Sequence, residues 1–539
     1  MRFISPQQLR KILKDDLEYA LLDVRERKPF SREHLLKSSC VPLSRLELLI
    51  GELIPRRSVQ IFVIGEGTTD RYRLDERTAR RLAELGYSNV LVMEGGVTAW
   101  REAGFELFSG VGAYSKAFGE WVAEKYRTPH ISPQEKQDLA VKGKKLIIID
   151  CRPKPEYNRM TIPGSINAPG ADLVYRIYEA VKDDSSLILV HCAGRTRSII
   201  GAQSLVNAGL PNQVAALENG TMGWQLAGYQ LEYGQTREIP IPSAAALEKA
   251  RQSADRLAQR FGVRKINLDT LLKWQAEAEQ RTLYVIDVRL PEEYAAGHWD
   301  GSRNVQGGQL VQATDEYISV FNARIVLLDD TEVRATVTAS WLIQMGWGDV
   351  FVLEHGISNL PLVQGPYQTL ISGLDAAVDT ITPQELAKFV KDQREQVTVL
   401  DVGSSNAHRQ KHIPGACWGI RSRLLLDLAN MRANNNLVVT SEDGTLAHLA
   451  AKDLMVLESS PLRILVLEGG TNAWLSAGLP TETGMKRALS EEDDVWFLPY
   501  MDPDAPDQAK RDYFDWELGL VKQVERDGTA KFRFFPVEG

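Results

Sequence analysis

Cysteine is scarce in this chain. Four occur among 539 residues, at Cys40, Cys151, Cys192 and Cys417. No two of them have Cys-x-x-Cys spacing, so the chain has neither a disulfide framework nor a cysteine-based zinc site. We therefore expect no metal and no other cofactor. A reducing compartment, with the cytoplasm as the default, is the expected location.

Long apolar runs and excess positive charge are lacking too. No stretch approaches the roughly 18 apolar residues that a membrane span needs. Residues 1–13 include Arg2, Arg10 and Lys11 and have no apolar core of a signal peptide. The formal net charge of −8 argues against nucleic acid as the main partner. The length predicts roughly three to five domains.

The chain repeats itself four times. In each copy an apolar run ends in aspartate, at Asp23, Asp150, Asp287 and Asp401. About 70 residues later a second apolar run ends in glutamate followed by Gly-Gly or a near variant, at Glu94, Glu218, Glu354 and Glu468. The regular interval predicts four copies of one domain.

Each copy also begins with a recognisable helix start. Ser5, Ser132 and Thr382 each precede a proline and stand three residues before Gln or Glu, which is the capping-box pattern, and Asn267 starts a weaker version. Alternating strands and helices then predict an α/β fold, in which each copy is a small parallel β-sheet flanked by helices on both faces. Ligands of such folds bind at the carboxyl ends of the strands.

The stretch 187–198 carries the chemistry. An apolar run, typical of a buried parallel strand, delivers Cys192 into a short loop, and an amphipathic helix follows. Backbone N–H groups at a helix start form an anion-binding concavity, and Arg195 and Arg197 would add positive charge to it. Surroundings of this kind favour a reactive thiolate. We predict that Cys192 carries a reactive thiolate and that the loop of Ala193, Gly194, Arg195, Thr196 and Arg197 forms the anion-binding concavity beside it.

The corresponding loops of the other copies lack the thiol. These loops begin at Gly65, Asp329 and Ser441. Each contains carboxylate side chains at positions where an anion-binding site needs positive charge. His191 is expected to be packed, and Cys40, Cys151 and Cys417 to be core residues of other strands.

The segments outside the copies have their own patterns. Apolar spacing predicts linker helices over 111–126 and 244–261, packed against the domains. The tail from about residue 486 is rich in aromatic residues, and we expect it to form an arm that covers another domain or a second subunit. An Asp-Gly pair at Asp527 predicts a hairpin over 524–530.

Together these motifs resemble the rhodanese family of sulfurtransferases. The resemblance rests on the Asp-x-Arg blocks, the Glu-Tyr pairs at Glu156 and Glu293, the His-Ile-Pro-Gly of 412–415 and the strand-Cys-loop-helix element. It covers about 430 residues as four tandem rhodanese-like domains, of which the second alone has the cysteine. Met160-Thr-Ile-Pro-Gly stands where the family usually has Gly-His-Ile-Pro-Gly, which alters the approach to the loop.

The resemblance implies a persulfide mechanism. The Cys192 thiolate would take sulfane sulfur from a small anionic donor such as thiosulfate and pass it to cyanide or a thiol. The implied division is a catalytic domain at 130–235 and inactive domains at 1–108, 265–366 and 379–485. Helical linkers at 109–129 and 236–264 and a C-terminal arm at 486–539 complete it. No nucleic-acid or membrane partner is expected, and a homodimer is left open.

Two other functions fit the same motif. His-Cys followed by arginine also describes the phosphate loop of cysteine phosphatases, although that loop has five residues between Cys and Arg and this one has four. The three cysteine-less copies also suit a scaffold in which Cys192 only carries persulfide to a partner.

Overall fold

The computed structural model describes residues 1–68, 70–374, 378–392, 397–427, 436–455 and 463–536. Within these ranges the chain forms four α/β repeats, each built on a small parallel sheet with helices around it. This architecture confirms the predicted fold class. Single turns of 3-10 helix lie at Leu43–Arg45, Thr314–Glu316, Arg421–Arg423 and Pro499–Met501.

The first repeat sets the pattern for the others. Its strands are β1 (Phe3–Ile4), β2 (Tyr19–Asp23), β3 (Ser39–Cys40), β4 (Gln60–Ile64) and β5 (Val90–Met93). Its helices are α1 (Pro6–Ile12), α2 (Arg27–Arg32), α3 (Leu46–Leu53), α4 (Leu74–Glu84) and α5 (Gly96–Glu102). These strands are parallel in the order β1-β5-β4-β2-β3.

The second repeat follows the linker helix α6 (Ala113–Tyr126). Its strands are β6 (His130–Ile131), β7 (Leu146–Asp150), β8 (Ile166–Asn167), β9 (Leu187–His191) and β10 (Val214–Leu217). Its helices are α7 (Pro133–Val141), α8 (Lys154–Arg159), α9 (Asp172–Ala180), α10 (Thr196–Asn207) and α11 (Gly220–Leu226). The strand order is β6-β10-β9-β7-β8, so β9, which leads to Cys192, is central.

The third repeat follows the linker helix α12 (Ala244–Phe261). Its strands are β11 (Arg264–Ile266), β12 (Leu283–Asp287), β13 (His298–Trp299), β14 (Arg303–Asn304), β15 (Val320–Phe321), β16 (Arg324–Leu328), β17 (Asp349–Leu353) and β18 (Leu362–Val363). Its helices are α13 (Leu268–Ala276), α14 (Pro291–Ala296), α15 (Gly307–Gln312) and α16 (Val333–Gln344). Strand β15 leaves its own repeat and pairs antiparallel with β2 of the first, which joins the two repeats through one sheet.

The fourth repeat and the tail complete the chain. The strands are β19 (Thr380–Ile381), β20 (Val397–Asp401), β21 (Cys417–Trp418), β22 (Asn436–Thr440) and β23 (Arg463–Leu467). The helices are α17 (Pro383–Asp392), α18 (Ser405–Gln410), α19 (Leu424–Asp427), α20 (Thr445–Met455), α21 (Gly470–Ser476) and, in the tail, α22 (Asp507–Asp527). No helix of the described ranges is long and apolar enough to cross a membrane.

The predicted helix caps are present. Ser5, Ser132 and Thr382 accept hydrogen bonds from the backbone N–H three residues later, and Asn267 does the same. Each cap satisfies a donor that the first helical turn leaves open. The helix starts are therefore encoded locally, as the sequence predicted.

The linker helices are packed against the repeats, as predicted. One apolar core runs through the first three repeats and includes residues of α6, α12 and α22. Phe118 of α6 is fully buried, with its ring centroid 6.0 Å from that of Trp341 and 5.2 Å from that of Phe532. Burial of this apolar face holds α6 between the second and third repeats and the tail.

The tail differs from its predicted structure in one respect. Residues 524–527 continue α22, and the hairpin prediction over 524–530 is wrong. Gly528 ends the helix with a left-handed backbone, φ 62°, and its N–H donates to the Val524 carbonyl. Glycine commonly has this role at a helix C-terminus, so the Asp-Gly signal belongs to a helix end and not to a hairpin turn.

Candidate active site

Cys192 is the first residue after β9, at the carboxyl end of the second sheet, and α10 begins four residues later. Its side chain is only 2% exposed, and Sγ lies 3.6 Å from Ser198 Oγ. The strand-loop-helix element is therefore present where the sequence predicted it. Its loop residues surround the thiol because the turn from strand to helix is so short.

The backbone around this thiol is rich in open donors. The N–H groups of residues 193–198 have no hydrogen-bond acceptor within the described ranges. They belong to the loop and to the first turn of α10, where helix geometry leaves N–H groups unpaired. A set of N–H groups at a helix N-terminus binds anions. We call residues 192–197 the cradle loop.

A glycine on α11 clamps this loop from the other side. The Thr221 N–H donates to the Cys192 carbonyl at 2.9 Å, and the Met222 N–H donates to that of Ala193 at 3.1 Å. A Cβ atom on Gly220 would lie 2.2 Å from the Cys192 oxygen, so no larger residue fits. The glycines of the repeated Glu-Gly-Gly blocks make the same approach in the other repeats, at Gly96, Gly356 and Gly470.

Arg195 does not extend freely into the site. Its guanidinium binds both carboxylate oxygens of Glu120 on α6, at 2.7 and 2.8 Å, and Asn219 at 3.1 Å. Arg197 likewise binds both oxygens of Glu156, at 2.7 and 2.9 Å. Both positive charges are thus compensated, and the expected surplus of charge at the loop is reduced.

The Asp-x-Arg block is a buried support beneath the loop. Arg152 binds the carboxylate of Asp150, with Nη2 at 2.7 Å from Oδ2, and also donates to the Met160 carbonyl. His191 lies beside it with Nε2 at 2.8 Å from Ser165 Oγ, and burial lowers the pKa of this histidine despite the Asp150 charge. Both Arg152 and His191 are buried, and for His191 this packing was predicted.

The C-terminal helix α22 covers the cradle loop. Glu517 Oε1 accepts from Thr196 Oγ1 at 2.9 Å and from the Tyr513 hydroxyl at 3.2 Å. A Cβ atom on Gly194 would lie 3.4 Å from Tyr513 Cε1 and 3.8 Å from Glu517 Oε2. The tail is thus an arm over another domain, which is one of the two arrangements that the sequence left open.

Linker helix α6 also touches the loop. Gly119 lies against Thr196, and an added Cβ would be 2.8 Å from Thr196 Cγ2 and 3.1 Å from its Cα. One turn away, Lys116 is buried, and burial lowers the pKa of its amine. The loop is therefore enclosed by two helices that lie outside the second repeat.

The other three cysteines have different surroundings. Cys151 is buried, with Sγ 3.2 Å from the His191 carbonyl, as expected of a core residue. Cys40 and Cys417 lie on β3 and β21 and are partly exposed, so they are not core residues in the strict sense expected. Burial raises the pKa of all three thiols above their usual range, which keeps them protonated.

The third repeat has the same cradle, filled by its own side chain. Asp329 follows β16 as Cys192 follows β9, and its carboxylate accepts from the backbone N–H groups of Thr331, Glu332, Arg334 and Ala335. Arg334 stands where Arg197 does and binds Glu293, the counterpart of Glu156, at 2.6 Å. The Arg–Glu pair therefore occurs in a repeat that lacks the thiol. There the Asp329 carboxylate occupies the N–H groups that could otherwise bind an anion from solution.

The first and fourth repeats close their loops in other ways. In the first, Glu66 Oε2 accepts from Arg25 Nη1 at 2.9 Å. In the fourth, Ser441 has the cysteine position, and its Oγ accepts from the Ala447 N–H at 3.2 Å. Within the described ranges, no group of His, Cys, Asp and Glu side chains is arranged to hold a metal ion.

Sequence reasoning missed three residues at this site. Lys116, Glu120 and Glu517 are charged, yet nearly all of each side chain is buried. The first two stand on helix α6 next to buried apolar residues such as Ala117 and Phe118, and a charge beside these apolar positions was the available signal. Glu517 had no such signal, because only the tertiary fold brings the tail to the loop.

Comparison with known proteins gives one family. The model of the rhodanese-like domain matches residues 5–103, 132–227, 267–360 and 382–477. The crystal structure of thiosulfate sulfurtransferase from Pseudomonas aeruginosa is similar over 99% of this chain and 100% of its own, with 44% identity and a TM-score of 0.94. An HTH-type transcriptional regulator of Mycobacterium tuberculosis is 31% identical over 87 residues, which are 16% of this chain and 38% of that protein. This second match spans well under half of the regulator.

Proposed function

The chain belongs to the rhodanese family, and from that premise we propose that it is a sulfurtransferase acting through a persulfide on Cys192. The proposed donor is thiosulfate, in line with the name of the similar Pseudomonas aeruginosa enzyme. The proposed acceptor is cyanide or a thiol. The proposal assigns sulfur transfer to the domain at 130–235 and treats those at 1–108, 265–366 and 379–485 as inactive.

The first half-reaction loads sulfur onto the protein. The Cys192 thiolate attacks the outer sulfur of thiosulfate, the S–S bond of the donor breaks, and sulfite leaves with the bonding electron pair. The product is a Cys192 persulfide anion. In the second half-reaction the acceptor attacks the outer sulfur of the persulfide, and the electron pair of that S–S bond returns to Cys192.

The open N–H groups of residues 193–198 carry this proposal. They surround Cys192, and they can hold an anionic outer sulfur without gaining or losing protons. Thr196 and the two arginines act here through their backbone N–H groups, while their side chains fix the loop to Glu517, Glu120 and Glu156. Preorganised donors of this kind stabilise developing negative charge.

A phosphatase is the weaker candidate. Four residues separate Cys192 from Arg197, and the guanidinium of Arg197 is taken up by Glu156. A phosphate group would need that guanidinium, because bidentate hydrogen bonding is how arginine recognises phosphate. A persulfide needs only the N–H groups.

One experiment separates the three functions. The full chain is assayed with thiosulfate and cyanide, with an aryl phosphate, and for mass gain on Cys192 after thiosulfate alone. Turnover with thiosulfate that disappears in Cys192→Ser supports the proposal. Turnover of the aryl phosphate supports the phosphatase. A stable mass gain of one sulfur without turnover supports a persulfide carrier.

A further inference from the structure

Glu517 on the covering helix α22 has a feature that sulfur loading does not use. Its side chain is buried, and Oε2 has no hydrogen-bond partner in the described structure. That oxygen lies on the side of Gly194, 3.8 Å from the position that a Cβ on this glycine would take. A buried carboxylate oxygen without a hydrogen-bond donor is costly, so its presence beside a reactive loop points to a chemical role.

The other carboxylates that bind the cradle loop are already engaged. Both oxygens of Glu120 and both oxygens of Glu156 bind arginine. His191 is fully buried against Ser165 on the far side of the loop. Glu517 is thus the carboxylate at the cradle loop that retains a free oxygen.

The first half-reaction needs no proton acceptor, because thiosulfate enters and sulfite leaves as anions. A thiol acceptor is different, since it must lose its proton before its sulfur can attack. We propose that Glu517 takes this proton from the acceptor thiol. The inference rests on the proposed sulfur transfer through Cys192 and adds to it the residue that activates the acceptor.

Glu517 carboxylate removes the proton of R–SH, and the resulting R–S⁻ forms a bond to the outer sulfur of the Cys192 persulfide anion. The S–S bond of that persulfide breaks, and its electron pair goes to Cys192 Sγ. The products are R–S–S⁻, the Cys192 thiolate and protonated Glu517, which then releases the proton to solvent.

The surroundings of Glu517 agree with a group that changes protonation near neutral pH. Burial, and after it the Glu120 charge, raise its pKa to about 7 against the opposing effects of Lys116, Thr196 and Arg195. The tyrosines that face it, Tyr500 and Tyr513, have pKa values raised by burial and stay neutral. A proton acceptor works best when its pKa lies near the working pH.

The test uses the full chain loaded with sulfur by thiosulfate, followed by single-turnover discharge at about pH 8 to 2-mercaptoethanol or to sulfite. Sulfite is an acceptor with no thiol proton to lose. We expect Glu517→Gln to slow discharge to the thiol by about 100-fold more than it slows sulfur loading or discharge to sulfite. That defect should shrink as the pH rises toward the pKa of the thiol, where the acceptor ionises unaided. Glu525→Gln changes an exposed glutamate on the same helix and should match wild type in every arm.

The other possible outcomes distinguish failure of the Glu517 role from failure of the proposed sulfur transfer. Equal slowing with thiol and sulfite would make Glu517 a structural residue, and an unchanged thiol rate would also refute its role. Failure of the wild-type chain to load sulfur would instead refute the proposed function. Should Glu517→Gln not fold, Tyr513→Phe removes a hydrogen bond to Oε1 and should move the pH midpoint of thiol discharge upward. An unmoved midpoint in that variant would count against the inference.

Discussion

Arg195 in the cradle loop and Glu120 in the linker helix α6 form a bidentate salt bridge, with N–O distances of 2.7 and 2.8 Å. Glu120 is buried, and Arg195 is mostly so. The sequence analysis predicted that Arg195 supplies positive charge to an anion site. The structure shows a neutral pair that ties the loop to a helix of another segment, so its main effect is to position the loop.

This pairing predicts a charge effect that a second substitution reverses. Arg195→Gln leaves the Glu120 carboxylate uncompensated beside an anion site, so we expect the KM for thiosulfate to rise about 10-fold or more. The double variant Glu120→Gln with Arg195→Gln removes both charges and should recover most of that loss. Steady-state kinetics on the three proteins decide the matter. A double variant as impaired as the single one would mean that Arg195 contacts the donor directly.

Cys192 should be the one thiol that sulfur transfer requires. We expect Cys192→Ser to abolish thiosulfate turnover and mass gain, because only this cysteine lies in a loop of open N–H groups. Cys40→Ser, Cys151→Ser and Cys417→Ser should retain most of the activity. Turnover assays and intact mass spectrometry measure both quantities. Substantial activity in Cys192→Ser would refute the proposal that sulfur transfer depends on Cys192 alone.

Gly119 should be essential for the contact between α6 and the loop. Gly119→Ala places a methyl group 2.8 Å from Thr196 Cγ2 and must push the two elements apart. We expect a loss of about 1 to 3 kcal/mol in stability and at least a tenfold loss of sulfur transfer. Calorimetry and turnover assays measure the two effects.

Gly519 is the matched control for that substitution. It also lies inside a helix, but an added Cβ would meet no atom within 4 Å. Gly519→Ala should therefore leave activity unchanged and raise stability by up to about 1 kcal/mol, because alanine is the better helix former. Similar behaviour of the two variants would show that the α6 contact does not matter.

Glu517 should also leave a signature in the pH dependence of stability. Its folded-state pKa of about 7 lies above the ordinary value of 4.5, so the folded chain binds more protons than the unfolded chain between these values. Stability from this group is therefore fully present below about pH 4.5 and is lost as the pH rises to about 7, by an amount on the order of 3 kcal/mol. Thermal unfolding of wild type and Glu517→Gln between pH 5 and 8 tests this. A stability difference that stays constant with pH would contradict the shift.

Much of the fold was predictable from local signals. The helix α12 has the predicted bounds of 244–261, and α6 ends at Tyr126 as predicted. The capping residues Ser5 and Ser132 bind the N–H groups that the pattern required. These features depend on neighbours three or four positions apart, which a sequence displays directly.

Other features depend on contacts between distant segments. Glu120 lies 75 residues from Arg195, and Glu517 lies 321 residues from Thr196. Strand β15 also crosses to the sheet of the first repeat. No periodicity or spacing marks such a partner. The Asp-Gly pair at Asp527 was ambiguous for a related reason, since the same left-handed glycine serves a hairpin turn and a helix end.

The sequence by itself determined the repeated α/β domain, the four copies and the loop in which Cys192 stands, because each follows from apolar periodicity, caps and a thiol placed after a strand. Only the tertiary structure decided what surrounds that loop. Packing of α6 and α22 neutralises Arg195, covers Gly194 and buries Glu517 with one free oxygen. Charge compensation and desolvation act through space, so they are fixed by which segments meet and not by their order along the chain.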